Sequence, residues 1–154
     1  MMLELHNVTI GEQIRSLSLA VKDGQLLSVR GAQGAGKTTL LRALLGLIPI
    51  DGGHISIDGE LLTPLSAPYF RRQTAYVPQR LSVPEGCDMP TDYMTLLRKA
   101  TASGKQFIIV DEPSQPLSEN DVEEAARLLK EATEQGALVV AVNSSENAQY
   151  TVQL

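Results

Sequence analysis

The stretch Gly31-Ala32-Gln33-Gly34-Ala35-Gly36-Lys37-Thr38 constrains this chain more than any other, because it fits G-x-x-x-x-G-K-[ST]. That pattern works only between a strand and a helix. Both neighbours are legible: Leu26-Leu27-Ser28-Val29 reads as a strand, and Leu40, Leu41, Leu44 and Leu45 recur at helical spacing over Thr38 to Leu45. Gly46 is placed to end that helix, with Pro49 beyond it. Glycines let the main chain wrap closely round a phosphate chain, and loop amides and the helix N-terminus point at negative charge. Lys37 is placed to reach β- and γ-phosphates and Thr38 to offer its hydroxyl to Mg2+. The candidate phosphate-binding positions are Gly31, Gln33, Gly34, Ala35, Gly36, Lys37, Thr38 and Thr39. A glycine turn that merely caps a helix is the competing reading, and the strand before it and helix after it weigh against that.

The remaining pattern predicts an α/β chain with two kinds of sheet. Leu3, Leu5 and Val8 mark a first strand; Leu17, Leu19 and Val21 alternate with small residues, the period of a half-buried second strand. Asp23-Gly24 is a hairpin-type turn before Leu26, and Asp58-Gly59 is another, between His54-Ile55-Ser56-Ile57 and Glu60-Leu61-Leu62. The N-terminal part is thus expected to be antiparallel. Thr74 to Val77 predicts a short strand, Leu81 to Pro90 a loop and Asp92 to Ala102 a helix. Phe107-Ile108-Ile109-Val110 and Ala137 to Val142 are continuous apolar runs, as strands buried on both faces require. Between them, Ser118 with Asp121 forms a capping box, Leu117 with Val122 its staple, and Val122, Ala125, Ala126, Leu129 and Ala132 one apolar helix face. Gln149 to Leu154 predicts an edge strand. Strand, helix, strand, helix, strand implies a parallel three-layer core of the phosphate-loop type.

Phe107 to Val110 ends in Asp111-Glu112, and such a strand delivers its terminal carboxylates to the carboxyl edge of the sheet, where open α/β sheets bind ligands. Asp111 is the candidate Mg2+ ligand beside Thr38; Glu112 is the candidate group that orients or deprotonates an attacking water. With 154 residues, 43% hydrophobic and 20% charged, the chain has the size and apolar content of one compact domain over 1–154. A formal charge of −5 opposes unspecific nucleic-acid binding. Leu40 to Ile50 is too short and too interrupted to span a membrane, and Met1 to Asn7 lacks the basic start and apolar run of a secretory signal, so a cytoplasmic location is expected. The single cysteine, Cys87, cannot form an internal disulfide or a thiolate metal cluster.

At this point the chain resembles the nucleotide-binding subunits of ATP-binding-cassette (ABC) transporters. The resemblance rests on Val21-Lys22-Asp23-Gly24-Gln25 before the phosphate loop, on Pro49 to Gly59 after its helix, and on Tyr76-Val77-Pro78-Gln79, which looks like the Q-loop. Phe107 to Pro113 resembles the Walker B strand, and Ser114 to Ser118 occupies the D-loop position without the usual aspartate. The resemblance implies ATP and Mg2+ as ligands, with Thr38, Gln79 and Asp111 on the metal and Glu112, Lys37 and Gln79 as catalytic groups. It further implies a transmembrane permease subunit and a second nucleotide-binding subunit as partners, and a peripheral position at the inner face of the membrane.

The departures from the family pattern are internal. Only 31 residues separate Gln79 from Asp111, too few for the family's helical subdomain, and no L-S-G-G-Q-like signature is present. Asn143-Ser144 stands where the family has its switch histidine, and no Tyr or Phe lies between Thr9 and Ser18, where an aromatic stacks on adenine; Ile14 is the nearest apolar substitute. The expectation is a Mg-ATP-binding subunit with impaired intrinsic hydrolysis, the alternative a non-catalytic, nucleotide-responsive regulatory module. Four features carry blander readings: His6 and His54 as exposed or hydrogen-bonded strand residues, Arg71-Arg72 as a solvated pair, the acids from Glu119 to Glu134 as a wet helix face, and Tyr69-Phe70 as either an exposed contact or core.

Overall fold

The computed structural model describes residues 1–79, 92–143 and 148–154; the loop expected at Leu81 to Pro90, with Cys87, and Ser144 lie outside the described residues. Two sheets organise the chain. The first runs in the order β2-β1-β4-β5, from β1 (Met2–Ile10), β2 (Ile14–Lys22), β4 (Gly52–Ile57) and β5 (Glu60–Leu61), all antiparallel. The second runs β6-β7-β8-β3-β9, from β3 (Leu26–Arg30), β6 (Thr74–Val77), β7 (Phe107–Val110), β8 (Leu138–Val142) and β9 (Tyr150–Gln153), all parallel. The α/β architecture with an antiparallel N-terminal part is as expected.

One connection differs from its sequence reading. Asp23-Gly24 does not close a hairpin, because β2 and β3 belong to different sheets. Gly24, at φ 75°, instead turns the chain from one sheet to the other, and its N–H donates to the carbonyl of Ala137 at 3.1 Å. Turn chemistry reports that the chain bends, and the partner of the next strand is decided by long-range burial.

Alternation along the parallel strands makes the layers. Leu27, Val29, Ile109, Val140 and Val142 face the antiparallel sheet and α1 (Lys37–Leu44), which buries Leu40, Leu41 and Leu44. Leu26, Ile108, Val110, Val139 and Ala141 face α3 (Tyr93–Ala102) and α4 (Glu119–Glu134). Both α3 and α4 start on a side-chain cap: Asp92 accepts from the Thr95 N–H at 2.7 Å, and Ser118 from the Asp121 N–H at 3.2 Å. The apolar face of α4 is narrower than its sequence suggests. Leu129 and Ala132 are buried, whereas Val122 is 54% exposed, so the staple with Leu117 does not bury it.

A short helix, α2 (Ala67–Arg72), has no counterpart in the sequence reading. It divides the Tyr69-Phe70 pair, sending Phe70 into the core and leaving Tyr69 exposed. Arg71 is not merely solvated: its guanidinium donates to the carbonyl of Leu45 at 3.0 Å, satisfying the end of α1. His6 and His54 face each other across β1 and β4 with ring centroids 4.6 Å apart, and His6 lies 2.9 Å from the Glu4 carboxylate.

Candidate functional site

The carboxyl ends of β3 and β7 bring the phosphate loop and the acidic pair together, with the end of β8 alongside. After β3 the loop turns into α1 at Gly36, whose φ of 102° only glycine adopts cheaply and which carries no side-chain cap. The first-turn amides of α1 are therefore free of a side-chain acceptor, and the helix presents its positive end outward. Gly34, at φ 83°, repeats the requirement one turn earlier. Gly31 is tight for a different reason: a Cβ there would lie 3.0 Å from the Ala35 Cβ and 3.2 Å from the Leu154 carbonyl.

Lys37 is buried and folds back across the loop. Its ammonium donates to the Gly31 carbonyl at 2.7 Å and pairs with Glu112 at 3.2 Å. Thr38 donates its hydroxyl to Asp111 Oδ2 at 2.8 Å, while the Glu112 N–H donates to Asp111 Oδ1 at 2.8 Å. Asp111 itself is 1% exposed. Burial pushes its carboxyl pKa up, opposed by the hydrogen bonds from Thr38 and the Glu112 N–H and reinforced by the Glu112 charge. A buried carboxylate kept beside one hydroxyl is poised to gain from a cation.

The donor set fits that cation. Both oxygens are hard ligands, and ligands at adjacent corners of a Mg2+ octahedron stand about 2.9 Å apart, close to the Thr38–Asp111 separation. The anion side fits equally, since uncapped amides, glycines without a Cβ and a buried ammonium are the chemistry that a phosphate chain needs.

Gln79 follows β6 at the same sheet edge. It lines a cavity of about 500 Å3 with Tyr93, Pro113, Ser114 and Gln115, outside the hydrogen-bonded cluster of Thr38, Asp111 and Lys37. Gln33 and Gly34 are exposed at the tip of the loop, and Ala35 and Thr39 are partly covered.

Three further residues enter the site that the sequence did not single out for these contacts. The Tyr93 hydroxyl donates to the Asp111 carbonyl, and burial together with the Asp111 and Glu112 charges holds its phenol well above the usual value. Asn143, after β8 and at φ 56°, donates its amide to Glu112 Oε2 at 2.5 Å rather than facing the loop. Gln13, in the turn between β1 and β2, donates its amide to the Gly34 carbonyl at 2.8 Å. Ile14, the apolar substitute expected at a base, is instead 1% exposed and packed in the core. Its place at the first residue of β2 turns it inward.

The chain is 40% identical over 70 residues to the manganese transport system ATP-binding protein MntB of Listeria innocua, covering 46% of this chain and 27% of that protein. It is 38% identical over 104 residues to the vitamin B12 import ATP-binding protein BtuD of Yersinia enterocolitica, covering 67% and 40%. With the zinc import ATP-binding protein ZnuC of Cereibacter sphaeroides it shares 30% over 163 residues, covering 86% and 66%. The matched stretches thus span 27% to 66% of the length of these relatives. Among solved structures, an ATP-binding subunit of an ABC transporter superposes with a TM-score of 0.80 at 19% identity, over 100% of this chain and 86% of that one. A dimeric ATP-binding cassette, MJ0796, bound to ADP and Pi, superposes with 0.78 at 20%, over 99% and 94%. These likenesses show the fold, and the ABC transporter family model matches residues 14–135, most of the chain, which therefore belongs to the ABC transporter family.

Proposed function

We propose that this chain is a Mg-ATP-binding subunit of a transport system, weak in hydrolysis by itself. The observation that carries the reading is the Thr38–Asp111 hydrogen bond of 2.8 Å beside an uncapped α1 N-terminus. In this reading Gly31, Gln33, Gly34, Ala35, Gly36, Lys37, Thr38 and Thr39 cradle the phosphates, and Thr38, Asp111 and Gln79 hold Mg2+. The bound ion supplies charge neutralisation of the triphosphate. Lys37 leaves the Gly31 carbonyl and Glu112 to meet phosphate oxygens; Glu112, released, accepts a proton from water at Oε1 while Asn143 holds Oε2. Asn143 is neutral and supports the amount of orientation an amide can give, with none of the charge an imidazolium adds.

A single ATP-binding domain without a helical subdomain belongs to the same proposal, on the 31 residues between Gln79 and Asp111. So do a permease subunit and a second nucleotide-binding subunit as partners, because the relatives are named as ATP-binding proteins of transport or import systems. Leu47, Leu61, Leu65 and Tyr69 stand exposed around α2, beside a groove of about 520 Å3 floored by Ile48, Ile50 and Ile55, and this face supports contact with an apolar partner surface. Among the described residues no helix is long and apolar enough to cross a membrane. A peripheral, cytoplasmic placement through that partner belongs to the same proposal.

A second reading, a regulatory module switched by nucleotide occupancy, is favoured by one contact: both Glu112 oxygens are engaged, one by Lys37 and one by Asn143. Calorimetric titration with Mg-ATP, run alongside phosphate release, tests both. A dissociation constant on the order of micromolar that Lys37→Ala abolishes supports the cradle, and flat titrations of both proteins overturn it. Nucleotide left unaltered after long incubation with an intact transport partner favours the regulatory module.

A further inference from the structure

The turn that leaves β7 has one soft joint. Before it, the Asp111 N–H donates to the Val77 carbonyl at 2.9 Å, which ties the chain to β6 just past the last paired residues, Val77 and Val110. After it, Pro113 confines Glu112 to extended conformations. Between the two, the planar Asp111–Glu112 peptide can still pivot about the ψ of Asp111 and the φ of Glu112.

Both ends of that peptide are held. Its N–H donates to Asp111 Oδ1 at 2.8 Å, and Asp111 Oδ2 accepts from the Thr38 hydroxyl at 2.8 Å. Its carbonyl accepts from the Tyr93 hydroxyl, the one donor that reaches it among the described residues. A chain of hydrogen bonds therefore runs from Tyr93 through the peptide to the carboxylate and on to α1, with Asp111 buried in the middle of it. Tyr93 is the fixed end of that chain. It is the first residue of α3, whose start Asp92 caps, and Met94, Leu97 and Ala100 root the helix in the core. Burial and the Asp111 and Glu112 charges keep the phenol neutral, so its hydroxyl stays a donor.

We infer that Tyr93 is a positioning residue for a divalent cation: by fixing the Asp111–Glu112 peptide from α3, it keeps the Asp111 carboxylate turned to Thr38, where the ion would be held. The inference rests on the Mg2+ role proposed above for Thr38 and Asp111. Mg2+ demands near-ideal octahedral geometry, so a ligand free to swing binds it less well, and loss of a group that orients a ligand costs about 10- to 100-fold in metal affinity. Tyr93 acts one peptide away from the carboxylate, which puts its effect at the low end of that range. The hydrogen bonds that shape the phosphate loop come from Lys37 and Gln13 and do not involve Tyr93, so nucleotide without metal is held as before.

The test is calorimetric titration of the full chain with adenylyl imidodiphosphate, an ATP analogue that resists hydrolysis, once in excess Mg2+ and once in EDTA, for wild type and Tyr93→Phe. The readout is the factor by which Mg2+ tightens binding. In wild type it should reach about tenfold; in Tyr93→Phe it should fall by about threefold or more, with the affinity in EDTA kept within about twofold. Ala100→Gly, further along the same helix, loosens α3 without removing the hydroxyl and should leave the factor unchanged. A smaller fall in Tyr93→Phe overturns the inference, and so does an equal fall in Ala100→Gly or an equal loss in EDTA, either of which makes the role structural. If Tyr93→Phe does not fold, amide hydrogen exchange on wild type decides: the Glu112 N–H should exchange about a hundredfold more slowly than a free amide, and free exchange overturns the clamp. No binding under either condition sinks the cradle, and wild-type binding that Mg2+ does not tighten sinks the metal site, each taking the inference with it. A Mg2+ factor that ignores Tyr93 sinks the inference alone.

Discussion

At the scale of single residues, the site is held by its own opposite charges. Lys37 is nearly enclosed, so its ammonium needs a partner, and Glu112 with the Gly31 carbonyl supplies one. An incoming phosphate must displace that carboxylate. Glu112→Gln keeps the shape and removes the competing anion, and the pair is partly solvated, so the gain is modest. Binding of Mg-ADP, which avoids any contribution from turnover, is expected to tighten by about three- to tenfold, measured by calorimetry. Unchanged or weaker binding would show that Glu112 does not guard the lysine. These contacts divide sharply in how far they could be read in advance. Lys37, Thr38 and Asp111 announce themselves because their spacing to strand and helix is local, whereas Gln13, Tyr93 and Asn143 reach the site across 21, 18 and 31 positions of sequence. Only folding brings such pairs together.

At the scale of elements, the antiparallel N-terminal part, the Asp58-Gly59 hairpin and the parallel core pair as the sequence predicts, and the Asp23-Gly24 connection does not. Phe107–Val110 emerges with the bounds its apolar run suggests, and α4 begins at the expected cap. The Asp23-Gly24 turn does not close a hairpin because the partner of β3 is β8, more than a hundred residues on. Helix α2 leaves no sequence signal because six residues containing Pro68, Arg71 and Arg72 show no periodicity. The Ser118 cap is worth testing: Ser118→Ala leaves the Asp121 N–H without its acceptor and should cost about 1 kcal/mol in denaturant unfolding. A larger cost follows from Gly53, at φ 73° in β4, where a Cβ would fall 2.2 Å from the carbonyl oxygens of His6 and Asn7. The bulge at Asn7 presses main chain into that space, so Gly53→Ala should lose roughly 3 kcal/mol, by the same measurement. Helices α3 and α4 are further tied by Arg98, whose guanidinium donates twice to Glu124 at 2.8 Å and holds that carboxyl below its usual range. A lowered folded value means that the tie stabilises above the ordinary glutamate pKa and is lost as pH falls through the lowered one. The melting difference between wild type and Glu124→Gln should therefore be present at pH 7 and shrink as pH falls below the ordinary glutamate range.

At the scale of the whole molecule, the proposed cradle opens at one sheet edge, and the described residues place little over it. Between Gln79 and β7 the structure describes one helix, α3, and its buried residues Met94, Leu97 and Ala100 are spent on packing against the parallel sheet and α4. Phosphoryl transfer is accelerated chiefly by positive charge and hydrogen-bond donors set round the transferred group, and donors brought by a second protein raise such rates by about 10³- to 10⁵-fold. Lys37 is one such charge; Asn143, neutral and turned to Glu112, adds none. The isolated chain with Mg-ATP should therefore release phosphate more slowly than about 10⁻² per second, the range of a nucleotide site lacking donors in trans. Pairing with an intact subunit that closes over the loop should raise the rate at this site alone, so that Glu112→Gln in this chain removes the increment while the same change in the partner does not. Rapid turnover by the isolated chain, lost in Glu112→Gln, would mean that the donors are already present in its own fold and that the open edge is not what limits it.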